Sequence, residues 1–258
     1  MRNGKMPRSL ALAAIATLLV IQGATAGAES TEPRNRPGSV LADAVAKTCP
    51  VPQGGASFCH RCLQVETEFA VIKDLKGQEQ LLLVARRDVT GIESSLLQEP
   101  WAFNYWGAAW EARRFMAAVP DDDISLAINS RRARGIDRLH IHLDRPNPEV
   151  KKRLKELGPT LTMEWGQKFN LPPRGYPFWV RKIASDDIVA KNLFTMLPLG
   201  MPGADPNPAS YALIVVGGAP LDGGRTGLFL IAGQDRDLGG AAWSEQLQQD
   251  HGAPCTCN

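Results

Sequence analysis

The clearest pattern along the chain is a pair of alternating segments in its middle. Ile124 to Asn129 places Ile124, Leu126 and Ile128 on one face, and Ser125, Ala127 and Asn129 on the other. Arg138 to Asp144 places Leu139, Ile141 and Leu143 inward, and Arg138, His140, His142 and Asp144 outward. A period of two predicts strands. The basic link between them holds Arg131, Arg132, Arg134 and Gly135, so an antiparallel pair is expected. Glu68–Lys73 and Gln80–Ala85 predict a hairpin around Lys76-Gly77. Ser210–Val216 and Gly227–Ala232 predict another, with the Gly-rich run Gly217–Gly224 as its turn.

Helical spacing appears where strands do not. Trp106, Ala109, Trp110, Arg113 and Ala117 recur at intervals of three and four, which predicts a helix over Asn104–Ala118 ahead of Pro120. Glu149–Leu157 predicts a charged helix ended by Gly158-Pro159, and Val40–Lys47 a short one. Residues 166–177 and 198–209 are Gly/Pro-rich and read as connections. Hairpins with separate helices define an α+β chain rather than a doubly wound sheet.

Composition narrows the class. The chain has 258 residues, 44% hydrophobic, with a net charge of +2. That is enough for one core and leaves no positive excess of the kind that marks nucleic-acid binders. Arg2, Lys5 and Arg8 precede an apolar run, Leu10–Ile21, and then Ala24-Thr25-Ala26. This is the layout of an export signal. Residues 1–28 are therefore expected to be a signal peptide or N-terminal anchor, 29–48 a tether and 49–258 the domain. The protein is expected outside the cytoplasm, in the periplasm or anchored to the inner membrane. Cys49, Cys59, Cys62, Cys255 and Cys257 cluster at the two ends of the mature chain. In an oxidising compartment they favour disulfides, with a tetrahedral zinc site as the alternative.

The chemistry points to phosphate. His140 and His142 share a strand face, and neutral imidazole is a competent nucleophile toward phosphorus. Arginines just upstream can neutralise phosphoryl oxygens. His140-x-His142-x-Asp144 is followed by Arg145, which leaves a binuclear metal site short of ligands, so the reading carries no metal and no cofactor. There is no G-x-S-x-G elbow and no phosphate-binding G-x-x-x-x-G-K-[ST] loop.

Ile128-Asn129-Ser130-Arg131, then Arg134, then Leu139-His140-Ile141-His142-Leu143 resembles the bacterial CDP-diacylglycerol pyrophosphatases, a branch of the HIT-like superfamily. Leu81–Ser94, ending in Gly91-Ile92-Glu93-Ser94, is similar to that family, as are Trp110–Arg113 with Met116 and Leu247–His251 with Cys255. The resemblance implies a HIT-like antiparallel sheet with flanking helices. It also implies hydrolysis of the pyrophosphate of CDP-diacylglycerol to CMP and phosphatidate by a histidine nucleophile. The partners implied are a liponucleotide substrate and a membrane surface. Two registers are open. In the preferred one His142 attacks, assisted by His140; in the other His140 attacks, with Arg138 before it and His142 after. Asn129, Ser130, Arg131, Arg134 and Arg138 are the expected phosphate-binding residues. His251 is a further candidate at the periphery. Asp144, Ala85-Arg86 and Ala133 depart from the family pattern. The alternatives are hydrolysis or transfer of other nucleotide pyrophosphates, and a non-catalytic module that binds nucleotide or lipid.

Overall fold

A computed structural model describes residues 39–49, 61–75, 77, 79–116, 119–235 and 240–249. The predicted export segment, His60, His251, Cys59, Cys255 and Cys257 lie outside the described residues. Nine strands form one sheet: β1 (Cys62–Val65), β2 (Phe69–Lys73), β3 (Leu81–Ala85), β4 (Ser125–Ile128), β5 (His140–Asp144), β6 (Lys168–Leu171), β7 (Tyr176–Ile183), β8 (Tyr211–Pro220) and β9 (Thr226–Gln234). Their order is β1-β2-β3-β5-β4-β8-β9-β7-β6, and every pairing is antiparallel. Four helices accompany them: α1 (Ser39–Thr48), α2 (Tyr105–Ala112), α3 (Pro148–Leu157) and the single turn α4 (Asp187–Ala190). The architecture is α+β, as the alternation predicts. Among the described residues no helix is long and apolar enough to cross a membrane.

Both faces of the sheet are covered. On one, Leu139, Ile141 and Leu143 join Leu81, Leu83, Leu126, Leu213 and Val215 beneath Tyr105, Trp106, Ala109 and Trp110 of α2. Asn104 caps α2 by accepting from Gly107 N (3.1 Å), and its amide nitrogen donates to Ile188 O (2.9 Å), which docks α4 on the helix. The other face carries two separate apolar patches. Leu41 and Val45 of α1 cover Ala70, Ile72, Leu82 and Val84. Val150, Leu154 and Leu157 of α3 cover Ala127, Ile214, Val216, Phe229 and Ile231. Strand β5 runs between these patches. His140 lies opposite Val84, and His142 is flanked by Leu82 and Ala127. The face expected to point outward is thus enclosed: His142 is 5% exposed and Asp144 fully buried. The reason is that helices flank β5 on that side and a C-terminal segment closes the gap, so period-two alternation here separates two interiors rather than core from solvent.

Several expected boundaries shift for local reasons. Helix α2 gives way at Ala112 to a 3-10 turn, Arg113–Phe115. Arg113 folds back to donate to Trp110 O (2.7 Å) and lies 4.6 Å from the Trp110 ring centre, and Met116 leaves the helical conformation and is buried. Residues 166–177, expected to be a connection, contain β6 and the start of β7. Their Gly/Pro residues concentrate in the intervening turn, where Gly175 has φ +72°. The run Gly217–Gly224 is likewise not all turn, because β8 continues to Pro220 through a bulge between Gly217 and Ala219. A Cβ at Gly217 would collide with Asp121 O, so the glycine there admits a close backbone approach.

Cys49, just after α1, is disulfide-bonded to Cys62 at the start of β1. The bond ties α1 to the edge of the sheet and bears out the disulfide expectation for these two cysteines. For a separation of 13 residues, chain-entropy reasoning gives a stabilisation of roughly 3 kcal/mol. The Cys49→Ser/Cys62→Ser variant should therefore unfold in urea with a free energy lower by ~2–4 kcal/mol. An unchanged midpoint would show that the bridge does not constrain the unfolded chain.

Candidate active site

His140 and His142 are brought together as the strand alternation predicts, with ring centres 5.1 Å apart and planes at 68°. Their surroundings differ. His140 Nδ1 lies 2.6 Å from Arg138 O. A carbonyl only accepts, so Nδ1 carries the proton and Nε2 keeps its lone pair. The residue as a whole is half-buried. Burial, and next the neighbouring His142, push its pKa down to about 4, so the imidazole is neutral near pH 7. His142 is enclosed. Gln80, itself buried, donates from Nε2 to His142 Nδ1 (3.0 Å), and Asp74 Oδ2 stands 3.9 Å from the same nitrogen. With Gln80 in this orientation the His142 proton sits on Nε2, which faces Glu245 Oε1 at 3.3 Å.

Glu245 was not expected from the sequence. It lies in a 3-10 turn, Ser244–Leu247, far along the chain from the histidines. Asn129, at the exit of β4, fastens this segment with its whole amide. Its Oδ1 accepts from Ser244 N and Ser244 Oγ (2.8 Å each), and its Nδ2 donates to Glu245 Oε1 (2.6 Å). Gln248 adds a second tie, donating to Ser125 O, Ser125 Oγ and His142 O at 3.2 Å each. A lone Ser-Glu dipeptide carries no periodic or motif signal, so only the fold brings it to the site.

The expected phosphate-binding residues separate into groups. Arg131 is exposed beside β4, with its backbone N–H donating to Ala209 O (3.1 Å). Ser130 is fully buried, and its hydroxyl accepts from Ala133 N (3.3 Å) at the start of the basic turn. Arg134 is 4% exposed and forks onto Glu93 (2.7 and 2.5 Å) and Asp137 (2.9 and 2.6 Å). Burial works against its charge, but the two carboxylates hold its pKa above the ordinary value. A Cβ at Gly91 would collide with Arg134 Nη1, so the Gly91-Ile92-Glu93-Ser94 turn and the basic turn form one unit. Arg138 precedes β5 instead of belonging to it. Its guanidinium donates to Arg87 O (2.7 Å) and Ala85 O (3.3 Å), with Asp88 3.6 Å away. Asp144 Oδ1 accepts from Arg145 N (2.7 Å). Among the described residues no cluster of three or more His, Cys, Asp or Glu could hold a metal ion.

An antiparallel α+β sheet whose central strand carries a neutral histidine beside a second histidine, a carboxylate and a basic turn is suited to nucleophilic or proton-transfer chemistry. Residues 37–257 match the CDP-diacylglycerol pyrophosphatase family, and the chain belongs to that family. It is also similar to a CDP-diacylglycerol pyrophosphatase from Yersinia pestis, 36% identical over 158 residues, which cover 59% of this chain and 61% of that protein.

The depressed pKa of His140 has a consequence for stability. The folded chain binds this proton less readily than the unfolded chain, whose histidine titrates at 6.5. Its contribution is therefore intact above pH 6.5 and is lost as pH falls toward 4, by at most about 3 kcal/mol. Against a His140→Asn variant, the wild type should lose unfolding free energy over that window. Parallel curves would remove the assignment of a buried, neutral His140.

Proposed function

We propose that this protein hydrolyses the pyrophosphate of CDP-diacylglycerol, releasing CMP and phosphatidate, with His140 Nε2 attacking phosphorus. Family membership supports the substrate. The observation that carries the chemistry is the His140 Nδ1–Arg138 O bond, which leaves the Nε2 lone pair available on a neutral ring. This is the second of the two registers. It is favoured over attack by His142 because His142 is enclosed, with one ring nitrogen engaged by Gln80 and the other against Glu245.

In the first step the Nε2 lone pair forms a bond to the nucleotide phosphorus. The bond to the bridging oxygen breaks, and its electron pair leaves with the phosphate of phosphatidate. A phosphate leaving group needs little protonation, so Arg138 in place of a first histidine does not stop the step. Arg131, exposed in the basic turn, supplies charge to the phosphoryl oxygens. Arg134 and Ser130 act one layer back, by holding the basic turn. In the second step water releases CMP.

The same reading has the protein exported and in contact with a lipid surface. The Cys49–Cys62 disulfide supports an oxidising compartment. Trp101 is 67% exposed and, with Leu96, Leu97, Phe103 and Tyr105, lines a cavity of about 220 Å³. The other aromatic residues of segment 101–106 turn inward: Tyr105 and Trp106 are buried, and Phe103 stacks on Phe69 with ring centres 5.7 Å apart. An exposed indole beside an apolar cavity suits the interfacial region of a bilayer.

Two measurements check this reading. His140→Ala should lower CMP release from CDP-diacylglycerol by ~10³-fold or more, with His142→Ala less severe. Loss confined to His142→Ala moves the attack to the other histidine. Trp101→Ser should raise KM several-fold for CDP-diacylglycerol presented in vesicles and leave a water-soluble nucleotide pyrophosphate unaffected. Equal effects on both would remove the lipid contact.

A further inference from the structure

We infer that Glu245 is the base that takes a proton from the water releasing the nucleotide from its histidine. The inference rests on the two-step reading above and concerns its second half.

Glu245 is held beside the histidines by the fold. Asn129 Nδ2 donates to Glu245 Oε1 at 2.6 Å, and His142 Nε2 approaches the same oxygen at 3.3 Å. Its backbone neighbours are fixed too: Ser244 by Asn129 and Gln248 by β4 and β5. Backbone bonds from Asn147 N to Leu247 O and from Gln249 N to Arg145 O (2.9 Å each) continue the attachment. A side chain on so constrained a segment meets the preorganisation that general base catalysis needs.

The other groups at the site are poorly suited to take the proton. In the covalent intermediate His140 Nε2 is bonded to phosphorus. His142 has Nδ1 accepting from Gln80 and a proton on Nε2. Asp144 is fully buried and accepts from Arg145 N. The side chain of Glu245 is 14% exposed and lies against His142, the neighbour of His140 on the strand. The step balances as follows. The water oxygen bonds to phosphorus, the P–N bond breaks, and its electron pair returns to His140 Nε2. The water proton passes to the Glu245 carboxylate and then to solvent.

The first step requires no base, because neutral His140 already has its lone pair and the phosphate leaves unaided. Loss of the Glu245 carboxylate should therefore split the two halves of the reaction. Glu245→Gln keeps an oxygen that accepts from Asn129 and so preserves the clamp. Wild type and E245Q would be mixed with CDP-diacylglycerol labelled in the cytidine nucleotide, in detergent micelles, quenched rapidly, and the labelled residue mapped by mass spectrometry. In E245Q the nucleotidyl adduct on His140 should form at the wild-type rate and accumulate toward one per chain. Steady-state CMP release should fall ~10²-fold or more, and the residual rate should rise with pH as hydroxide replaces the assisted water.

Wild-type turnover in E245Q, or faster turnover, would overturn the inference, the latter by showing that the carboxylate only obstructs the site. Equal slowing of adduct formation and CMP release would also overturn it, leaving Glu245 a merely structural part. Label on His142 in both chains would overturn the choice of attacker, while accumulation in E245Q would still support the base. No label in either chain would overturn both.

Discussion

Two imidazoles embedded between two apolar patches on an interior strand of a wide sheet need polar partners from the protein, and one nitrogen of each ring receives one. That requirement organises the region around β5. The proton on His140 Nδ1 is given to the strand's own backbone at Arg138, and His142 Nδ1 is met by a buried glutamine from the end of the β2–β3 hairpin. The open side is closed by the last described segment of the chain. The outcome is an asymmetric pair in which one residue is half-buried with its Nε2 lone pair available and the other is enclosed. The two histidines are equivalent as residues and differ in environment.

The closing segment depends on one amide. Asn129 uses both ends of its carboxamide on Ser244 and Glu245, so the end of β4 and the C-terminal part of the chain are joined at the site. Asn129, a residue expected to bind phosphate, spends its carboxamide on positioning the segment that carries Glu245. Arg134 behaves similarly. Its fork onto Glu93 and Asp137 welds two turns that are distant in sequence. A planar, always charged guanidinium suits that bidentate contact as no lysine would. The arginines of the basic turn thus divide into exposed ones, such as Arg131, and Arg134, which is buried on carboxylates.

Much of this could be read directly from the chain. Alternation over 124–129 and 138–144 located the two central strands and their antiparallel pairing. The helical spacing after Asn104 located α2, and the β2–β3 and β8–β9 hairpins were legible. The expectations that shifted share a cause. Period-two patterns assume one dry and one wet face, but β5 is largely enclosed on both sides, so the alternation no longer reports exposure. Glycine and proline density marks turns only on average. In β8 two glycines lie within a strand because Asp121 passes against it.

The sequence by itself determined the pairing of the histidines, since a side-chain period of two brings residues two apart to one face whatever surrounds them. It determined the strand–turn–strand frame and the family resemblance. Only the tertiary structure decided which imidazole keeps a free nitrogen, which arginine is committed to carboxylates, and that Glu245 joins the site. Those are outcomes of contacts between segments as many as 116 residues apart. They depend on hydrogen-bond geometry and burial at a point in space, quantities that local pattern along a chain does not encode.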